Sequence, residues 1–548
     1  MRQSFTPTLS AYPWDSAQAP DRLAMADEWR AWEAHCHAAG FDHPVPQPGS
    51  PTPLPSQTPA LMTLAVQTLF QWSLAMAPHT RVWRVVAGHG HQAADGVGLA
   101  LLLNAQGHDT EICLPRSKQA HSGPPILRQM LAAAGAAGIA IRHDACPPKA
   151  PADSRDTWID ALWGLGFRLG HGVPPADQAW IRHWQDSRRQ VQMQGGSWAT
   201  LLSIDLPSGL CPDTGRAGQL QDGTPLVAPA DATLSLVGPK PGLCTALGPE
   251  VRGDWWIAPL ARPHLSTPAR LLKPITSPPA WLRRTRTLAH KGWGGQVAVW
   301  AGTPDMSGAT QLAARAALRA GAGRVYVVGQ AELPALDRMS DDGLMRAACP
   351  PTGSVEVIGC GGGSSAARLL LARLPLAGPL VLDADGLNAV AGDDALRDAL
   401  AARGFESPTI LTPHPLEAAR LCRSTIEAVE QDRIGCALAL AASLRSVVVL
   451  KGPGTVIADP SGRWSINGSG HAVLATAGSG DVLAGWIASC WAQARQGRQA
   501  EPTDTHWDEA HEAAAHAVLS HGTAAQRWVA THPHPSQTML ATDLLAPV

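Results

Sequence analysis

Short apolar runs rich in β-branched residues recur along the chain, and each precedes a glycine-containing turn and an Ala- and Leu-rich stretch. Such a run indicates a buried strand and the stretch after it a helix, so their alternation predicts parallel sheets covered by helices. The clearest runs are RVVAGHG (84–90), VAVWAG (297–302), VEVIGCGGG (355–363), LVLDADG (380–386) and VVVLKGPG (447–454). We therefore predict an α/β fold, with ligands at the carboxyl ends of the strands.

Proline-rich stretches suggest how the 548 residues are divided. A chain of this length is expected to form more than one domain. The first 55 residues look irregular, and two segments, 43–59 and 262–281, are typical of extended connectors. Because the second lies near mid-chain, we predict one domain over 1–265, a linker over 266–282 and a second domain over 283–548.

Charge and composition exclude several classes of partner. The net charge is −2 and no basic block stands out, so neither nucleic acid nor an acidic membrane surface is an expected partner. No uncharged apolar run reaches the roughly 18 residues of a membrane span. The ten cysteines form no CxxC pair, and the N-terminal residues do not resemble a signal peptide. We expect a reduced, cytoplasmic protein.

The segment AGSGDVLAG (477–485) carries the strongest chemical signal. Its small residues allow backbone N–H groups to converge at a helix N-terminus, where the orphan donors and the helix dipole favour an anion. Asp481 beside them is placed to accept a proton from a substrate hydroxyl while phosphate charge develops. A glycine-rich turn capped by Ser479 and Asp481 is the structural alternative.

Three other strand ends in the C-terminal half carry polar groups. In KGPGT (451–455) the glycines permit close approach to a phosphate and Lys451 adds charge, although a plain tight turn has the same sequence. His414 lies between two prolines and is either a binding group or a surface or capped residue. Asp383 and Asp385 either hold Mg²⁺ through water or cap the next helix, and for Asp383 a capping and structural role is favoured.

Seven segments in order resemble the ADP/ATP-dependent NAD(P)H-hydrate dehydratases of the ribokinase-like superfamily, over residues 283–548. They are HKGWGGQVAVWAG (290–302), SGATQLAARAALRAGAGRV (307–325), VIGCGGG (357–363), VLDADGLN (381–388), TPHPLEAARL (412–421), KGPGT and AGSGDVLAG. The resemblance implies a ribokinase-like fold and repair of NADH or NADPH hydrated at C6. ADP or ATP, with Mg²⁺, phosphorylates the added hydroxyl, and departure of phosphate restores the nicotinamide ring.

The same resemblance implies roles for individual residues, with Asp481 as the catalytic base. The nucleotide would be held by Lys451, Gly452, Pro453, Gly454, Thr455 and Gly480. The anion hole would be formed by Gly478, Ser479 and Gly480. The hydrate would be contacted by Ala309, Gly361, His414 and Asp481. Ser479 stands where Thr is more usual and Ala477 where Gly is more usual, and neither change removes the phosphate-binding pattern.

The N-terminal half has its own strand-end residues. In SIDLPSG (203–209), Asp205 is either a proton-transfer or ribose-binding group or part of a capped turn. Lys240, flanked by prolines, either reaches an anion or is a solvated loop lysine. The order of segments over 20–260 resembles the NAD(P)H-hydrate epimerases, which have a Rossmann-like α/β/α domain and interconvert the R and S hydrates.

This second resemblance implies that Asp205 is catalytic and contacts the hydrate together with Asp95. It also implies a K⁺ ion held by Gln92, Asp160 and Ser208, and a hydrate site lined by the loop from Gly164 to Gly170. The expected partners of the whole protein are NADPH or NADH hydrates, an adenine nucleotide and a second copy of the chain in a homo-oligomer.

One turn departs from the epimerase pattern. The usual G-x-G-N-N-G-G-D-G is replaced by GHGHQAADG (88–96), in which both Asn are lost and two Gly are Ala. An Ala at a position that needs positive φ would carry strain of about 1 kcal/mol. The N-terminal half is therefore either an epimerase or a non-catalytic binding or oligomerisation module. For the C-terminal half, a ribokinase-type hydroxyl kinase whose phosphorylated product persists remains the alternative.

Overall fold

A computed structural model of the protein divides into two compact units between residues 267 and 268. The structure describes residues 11–13, 15–16, 18–39, 53–115, 123–143, 146–147, 155–170, 172–194, 199–220, 223–261, 268–273, 291–329, 343–404, 406–497, 506–534 and 538–545. Among the helices of these segments, none combines the length and apolarity needed to cross a bilayer.

The first unit contains ten strands and six helices within its described segments. The strands are β1 (Tyr12–Pro13), β2 (Trp83–Ala87), β3 (Thr110–Leu114), β4 (Ala140–His143), β5 (Thr157–Ala161), β6 (Thr200–Ile204), β7 (Gly218–Gln219), β8 (Pro225–Leu226), β9 (Ala232–Leu236) and β10 (Asp254–Ala258). The helices are α1 (Ala26–Ala39), α2 (Ala60–Met76), α3 (His91–Ala105), α4 (Pro125–Ala136), α5 (Pro175–Gln194) and α6 (Gly248–Val251). Helix α1 corrects the expectation that the first 55 residues are irregular.

The main sheet of this unit is doubly wound. Seven parallel strands follow the order β10-β9-β6-β5-β2-β3-β4, and β1 pairs antiparallel with β10 at one edge. The chain therefore winds outward in both directions from β2, which is the Rossmann arrangement predicted from the sequence. The winding reverses between β2 and β5, so the carboxyl ends of these two strands form the expected ligand crevice.

The second unit contains ten further strands and nine helices within the segments described. The strands are β11 (Ala269–Leu272), β12 (Gln296–Trp300), β13 (Arg324–Val328), β14 (Leu344–Ala347), β15 (Val355–Ile358), β16 (Leu380–Leu382), β17 (Thr409–Leu411), β18 (Val447–Leu450), β19 (Val456–Ala458) and β20 (Trp464–Asn467). The helices are α7 (Ser307–Arg319), α8 (Ser365–Arg373), α9 (Ala384–Gly392), α10 (Asp394–Arg403), α11 (Pro415–Leu421), α12 (Ile426–Gln431), α13 (Arg433–Leu444), α14 (Ser479–Gly497) and α15 (His506–Thr531).

These strands form one mixed sheet in the order β11-β20-β19-β18-β17-β16-β15-β12-β13-β14. The strands from β18 to β14 are parallel, and β19 is antiparallel to both of its neighbours. The predicted linker 266–282 needs correction, because residues 269–272 form β11, which pairs with β20. The other linker residues, apart from 268 and 273, lie outside the described segments. The α/β class predicted for this half is confirmed.

Valine-rich strands and alanine-rich helices build the core of the second unit. Val299, Val357 and Val449 are fully buried and pack in one cluster with the alanines of α7, α14 and α15. Helices α7 and α14 can approach closely because α14 has a glycine at the crossing: a Cβ on Gly485 would lie 2.1 Å from the Ala313 carbonyl oxygen. This packing fixes the N-terminus of α14 on the sheet.

Candidate active site

The loops after β12 and β15 bring two predicted hydrate-binding residues together, where the winding of the second sheet reverses. Gly361 has φ +70°, and a Cβ there would lie 2.6 Å from the Met306 carbonyl oxygen and 3.3 Å from Ala309 Cβ. The Thr303 N–H donates to the Gly361 carbonyl at 2.8 Å. Only glycine fits this backbone, which sets Ala309 and Gly361 side by side.

Asp481 lies in the first turn of α14 and faces other acidic groups. Its carboxylate, the Asp383 carboxylate and the Cys360 sulfur each place an atom within 4.8 Å of the others. Burial raises the pKa of Asp481 to about 6, Asp383 adds to the increase, and a hydrogen bond with the Cys360 thiol opposes it. At neutral pH Asp481 is thus an ionised carboxylate with a proton affinity well above that of an exposed aspartate.

Asp383 is a salt-bridge partner. Its Oδ1 atom lies 2.8 Å from Lys451 Nζ and accepts a 2.8 Å hydrogen bond from the Thr412 hydroxyl. Asp383 occupies the N-cap position of α9 but makes no side-chain cap bond, so the capping part of the favoured interpretation is wrong, whereas its bonds to Lys451 and Thr412 agree with a structural role. Burial lowers the Lys451 pKa, but Asp383 and Glu417 outweigh it and raise that pKa above its usual value. Lys451 therefore stays charged.

The start of α14 meets this ion pair directly. A Cβ on Gly480 would lie 3.3 Å from Lys451 Nζ and 3.8 Å from Asp383 Oδ2. Gly478 has φ +86°, which lets the chain turn sharply into the helix. The first N–H groups of a helix have no intrahelical acceptor, so the start of α14 at Gly480 and the Lys451 charge lie close together, and the anion hole stays a prediction.

Ser479, one of the residues predicted to form the anion hole, is engaged in the turn that precedes α14. The hydroxyl donates to the Leu474 carbonyl at 2.9 Å, and the Ser479 N–H donates to the Thr476 carbonyl at 3.3 Å. Both groups therefore hold the turn before α14 together. Any anion bound here depends on the N–H groups that follow Ser479.

The turn at 451–455 is held by an arginine that sequence reasoning missed. Arg433, at the start of α13 and 1% exposed, donates to the Leu450 and Lys451 carbonyls at 3.2 and 3.0 Å. Gly452 has φ +135°, and a Cβ there would lie 2.8 Å from the Arg433 guanidinium. The Thr455 hydroxyl donates to the Gly452 carbonyl at 3.1 Å. The sequence offered no signal for Arg433, because its role depends on tertiary approach.

His414 caps a helix. Its Nδ1 atom accepts hydrogen bonds from the Leu416 and Glu417 N–H groups at 3.1 and 3.3 Å, and Glu417 accepts in return from the His414 N–H at 2.9 Å. Burial and the Lys451 charge lower the His414 pKa, which keeps the ring neutral and Nδ1 an acceptor. The capping alternative is confirmed, and the role of His414 in binding stays a prediction.

Breaking the Lys451–Asp383 pair should destabilise the protein. Lys451→Met leaves a carboxylate that is 2% exposed without its counterion, so we expect the free energy of unfolding to fall by about 3 kcal/mol. Urea unfolding measures this change. The exposed Lys291→Met is the matched control, with an expected effect within about 0.5 kcal/mol. Adding Asp383→Asn to Lys451→Met should recover part of the loss, and strict additivity of the two losses would contradict a direct pair.

Asp205 and Lys240 form a buried pair at the end of β6. The Lys240 ammonium donates to Asp205 Oδ1 and, at 2.6 Å, to the Leu236 carbonyl. Asp205 has φ +63°, and its Oδ1 also accepts from the Leu236 N–H at 3.0 Å. Because Lys240 is only 1% exposed, the interpretation of it as a solvated loop lysine is wrong.

Two further carboxyl groups face this pair. Asp95 lies on α3, and Glu33 lies on α1, which the sequence reasoning missed. Burial raises the pKa of Glu33 to about 7, with Asp205 adding to the increase. Burial, then Glu33 and Asp205, raise the pKa of Asp95 well above its usual value. Glu33 and Asp95 therefore hold protons more readily than exposed carboxyl groups do, while Asp205 is paired with the Lys240 ammonium.

Two of the three predicted K⁺ ligands, Asp160 and Ser208, are bonded to each other. Asp160 accepts from the Ser208 N–H at 2.7 Å and from the hydroxyls of Ser208 and Ser203. Burial raises the pKa of Asp160 to about 6, against the lowering effect of these bonds. Gln92 donates to the Ile204 carbonyl, and its buried Oε1 has no hydrogen-bond donor. A Cβ on Gly164 would lie 2.0 Å from Gln92 Oε1, so this unsatisfied oxygen faces the start of the loop from Gly164 to Gly170. A K⁺ site formed by Gln92, Asp160 and Ser208 stays a prediction.

The altered turn at 88–96 is free of the strain anticipated from its sequence. Helix α3 begins at His91, so Ala93 and Ala94 are buried helical residues, and no residue of this described turn has positive φ. The glycines that the packing requires are retained. A Cβ on Gly88 would lie 2.1 Å from the Leu162 carbonyl oxygen, and one on Gly96 would lie 2.6 Å from Ala161 Cβ.

Family comparisons match both halves of the chain. Residues 58–242 match the family described as YjeF-related protein N-terminus, and residues 297–547 match the family described as NAD(P)H-hydrate dehydratase. Among solved structures, the ADP/ATP-dependent NAD(P)H-hydrate dehydratase of Bacillus subtilis, co-crystallised with ATP and Mg²⁺, is 29% identical. That match covers 48% of this chain and 90% of the bacterial one, with a TM-score of 0.39.

Several relatives named bifunctional NAD(P)H-hydrate repair enzyme Nnr match most of the chain. The one from Escherichia coli is 30% identical over 510 residues, which are 89% of this chain and 88% of the relative. The one from Coxiella burnetii is 32% identical and covers 79% and 85%. The one from Moorella thermoacetica is 33% identical over 61% of this chain and 63% of its own length. The chain belongs to the family of bifunctional NAD(P)H-hydrate repair enzymes.

Proposed function

We propose that the C-terminal unit dehydrates the S epimers of hydrated NADH and NADPH at the expense of ADP or ATP, and that the N-terminal unit interconverts the R and S epimers. The observation that carries the first half is the position of Asp481. A carboxylate of raised pKa stands in the first turn of α14, against the Lys451–Asp383 pair. That arrangement suits transfer of a phosphoryl group to a substrate hydroxyl.

In this proposal Asp481 takes the proton of the C6 hydroxyl as its oxygen attacks the terminal phosphoryl group. The free N–H groups of the first turn of α14, together with Lys451, stabilise the negative charge on the phosphoryl oxygens. Phosphate is a far better leaving group than hydroxide. Its departure from C6, with loss of the C5 proton, restores the ring double bond.

The nucleotide would be seated on the turn from Lys451 to Thr455 and on Gly480. Arg433 fixes the turn from behind, so the Lys451 ammonium and the glycine N–H groups are presented in one orientation. Mg²⁺, when bound, neutralises phosphate charge. Asp383 forms a salt bridge with Lys451. In Asp385, the Oδ2 atom accepts a 2.8 Å hydrogen bond from the Gly363 N–H, and the Oδ1 atom is left for a water molecule of the metal. Asp385 is thus the carboxylate that fits a water-bridged Mg²⁺.

In the N-terminal unit Asp205 would transfer the proton that allows epimerisation at C6, with Lys240 fixing its carboxylate. Gln92, Asp160 and Ser208 would hold K⁺, which balances the charge of the buried carboxylates. The unstrained turn at 88–96 supports an active epimerase over a non-catalytic module. We further propose a cytoplasmic homo-oligomer, for which light scattering after size-exclusion chromatography measures the assembly state.

One incubation tests the whole proposal. The protein is mixed with both hydrate epimers and either ADP or ATP, while absorbance of the dihydronicotinamide and release of phosphate are followed. We expect stoichiometric recovery of NAD(P)H and phosphate from both epimers. A hydroxyl kinase would instead accumulate a phosphorylated product without recovery of absorbance. A non-catalytic N-terminal unit would leave the R epimer to its spontaneous rate.

The pH dependence should report the Asp481 carboxyl. Because the base must be ionised, kcat/KM is expected to fall as the pH drops through about 6, the pKa of Asp481. The Cys360 thiol lowers that pKa, so Cys360→Ala should move the acidic limb to higher pH. Initial rates from pH 5 to 8 measure both curves. If Cys360→Ala leaves the acidic limb at the same pH, the group that titrates is not Asp481.

A further inference from the structure

Two half-buried thiols are in contact at the edge of the C-terminal site. Cys422 follows the last residue of α11, and Cys436 lies in the first turns of α13, with α12 between them. Their sulfur atoms are 3.3 Å apart. A disulfide bond is about 2.05 Å long, so the two sulfurs need to approach by only about 1.3 Å to become bonded.

We propose that Cys422 and Cys436 form a reversible disulfide on exposure to a hydroperoxide. This bond would alter the turn at 451–455, on which we propose that the nucleotide binds. Neither cysteine is fully buried, so a small oxidant has access to the pair. By contrast, Cys113, Cys211, Cys244, Cys360 and Cys490 are buried. In the reducing cytoplasm expected for this protein the pair is held as thiols, so the bond would form only under peroxide stress.

The two cysteines are chemically unequal. The hydrogen bond from the Cys436 thiol lowers the pKa of Cys422, and the nearby Arg397 guanidinium lowers it further. Arg397 is fixed there by a 2.7 Å bond to the Leu421 carbonyl. The pKa of Cys436 is raised by its bond with Cys422 and by burial. Because the Arg397 guanidinium is fixed beside Cys422 by its bond to the Leu421 carbonyl, we take Cys422 as the sulfur that attacks first and Cys436 as the thiol that resolves the product.

The reaction balances with the hydroperoxide as the sole oxidant. The Cys422 thiolate attacks the O–O bond and forms a sulfenic acid, and the distal oxygen leaves as hydroxide or alkoxide and takes up a proton. The Cys436 sulfur then attacks the sulfenic sulfur, which forms the S–S bond and releases water. Two thiols and hydrogen peroxide thus give one disulfide and two waters, with two electrons passing from the sulfurs to the peroxide.

The pair is connected to the site through both helices. At its N-terminus α11 carries Glu417, whose Oε2 lies 4.0 Å from Lys451 Nζ. Arg433 stands three residues before Cys436 on α13 and binds the Lys451 carbonyl. A covalent bond would close a ring of contacts from Cys422 through Glu417, Lys451 and Arg433 to Cys436. If the two helices move to bring the sulfurs together, Glu417 or Arg433 moves with them, and we expect the 451–455 turn to shift.

Mass spectrometry of the full chain tests the bond without any assay of activity. Reduced protein is treated with stoichiometric hydrogen peroxide, alkylated and digested with trypsin. We expect peptide 421–423 joined to peptide 434–445, with two hydrogens fewer than the separate peptides, and its loss on treatment with dithiothreitol. Oxidation of the exposed Cys349 without formation of the joined peptide would overturn the proposal, as would irreversible oxidation of Cys422 with Cys436 left as a thiol.

Variants and a binding measurement complete the test. Cys422→Ser and Cys436→Ser should each abolish the joined peptide, whereas Cys349→Ser should leave it intact, with circular dichroism confirming that each variant is folded. Calorimetric titration with ATP compares the reduced and oxidised chain, and we expect its Kd to differ by at least about threefold. Equal ATP affinities of the reduced and oxidised chain would overturn the proposed effect of the disulfide on the 451–455 turn. This part alone rests on the proposed function, and absence of ATP binding in both forms would reject that function instead.

Discussion

Asp481→Asn should lower the rate of NAD(P)H recovery by about 10²–10⁴-fold, because a positioned general base contributes that much and the amide cannot accept the hydroxyl proton. The substitution keeps the shape of a side chain in the first turn of α14. It also removes one negative charge from beside Asp383, so the fold and the Lys451–Asp383 pair should persist. Single-turnover rates with the S hydrate and ATP measure the effect.

Two controls separate catalysis from binding in that experiment. The ATP affinity of Asp481→Asn should stay within about twofold of the parent, because the base acts on the hydroxyl. Asp394→Asn makes the same chemical change at an exposed residue that pairs with Arg423, and its rate should equal that of the parent. Full activity in Asp481→Asn would remove this residue from the role of base.

Asp205→Asn should reduce consumption of the R hydrate to its spontaneous rate while leaving dehydration of the S hydrate unchanged. Asparagine tolerates the left-handed backbone that Asp205 adopts at φ +63°, so the backbone conformation is expected to persist. The buried Lys240 loses its counterion, so the N-terminal unit should lose stability, and circular dichroism must show that it remains folded at the assay temperature. The amide cannot take up the proton that the carboxylate would carry. Pure R hydrate, mixed with ATP and an excess of a separate S-specific dehydratase, isolates the epimerisation step.

The second activity of the same chain serves as an internal control for this variant. An unchanged rate with the S hydrate shows that the C-terminal unit is folded and that the protein is correctly quantified, and the circular dichroism spectrum reports on the fold of the N-terminal unit. Asp186→Asn, at an exposed aspartate paired with Arg189, is the matched substitution and should leave both rates unaltered. Persistence of R-hydrate consumption above the spontaneous rate in Asp205→Asn would assign the proton transfer to another group of the cluster.

Strands were the part of the fold most visible in the sequence. The runs at 84–90, 297–302, 355–363, 380–386 and 447–454 correspond to β2, β12, β15, β16 and β18. Strands of a parallel sheet are covered by helices on both faces, so their sequences are almost continuous apolar runs. Runs of this kind are easy to recognise in a sequence. The short strand β11 has no such run. The prolines on both sides of it favoured a linker, so its pairing with β20 was not predicted.

The polar contacts of the sites were less predictable than the strands. Sequence motifs located Asp481, Lys451 and Asp205, because each follows a strand or opens a helix. They did not reveal Arg433, Glu33 or the burial of Lys240, since each of these depends on contacts between segments far apart in sequence. At 88–96 the sequence reasoning overestimated the strain. Ala93 and Ala94 were counted as loop residues, but they lie in the first turn of α3, where alanine is favourable.

Strand β11 lies at the edge of the second sheet, and this position decides where a fragment that carries only the C-terminal activity should begin. A recombinant C-terminal fragment that begins at residue 283 would lack β11 and expose the backbone of β20, together with the side of the sheet that Arg270 joins to Glu512. Uncovered strand edges recruit other chains, so such a fragment is expected to aggregate on expression. A fragment that begins at Pro268 retains the strand, and its recovery from the lysate should be the higher of the two.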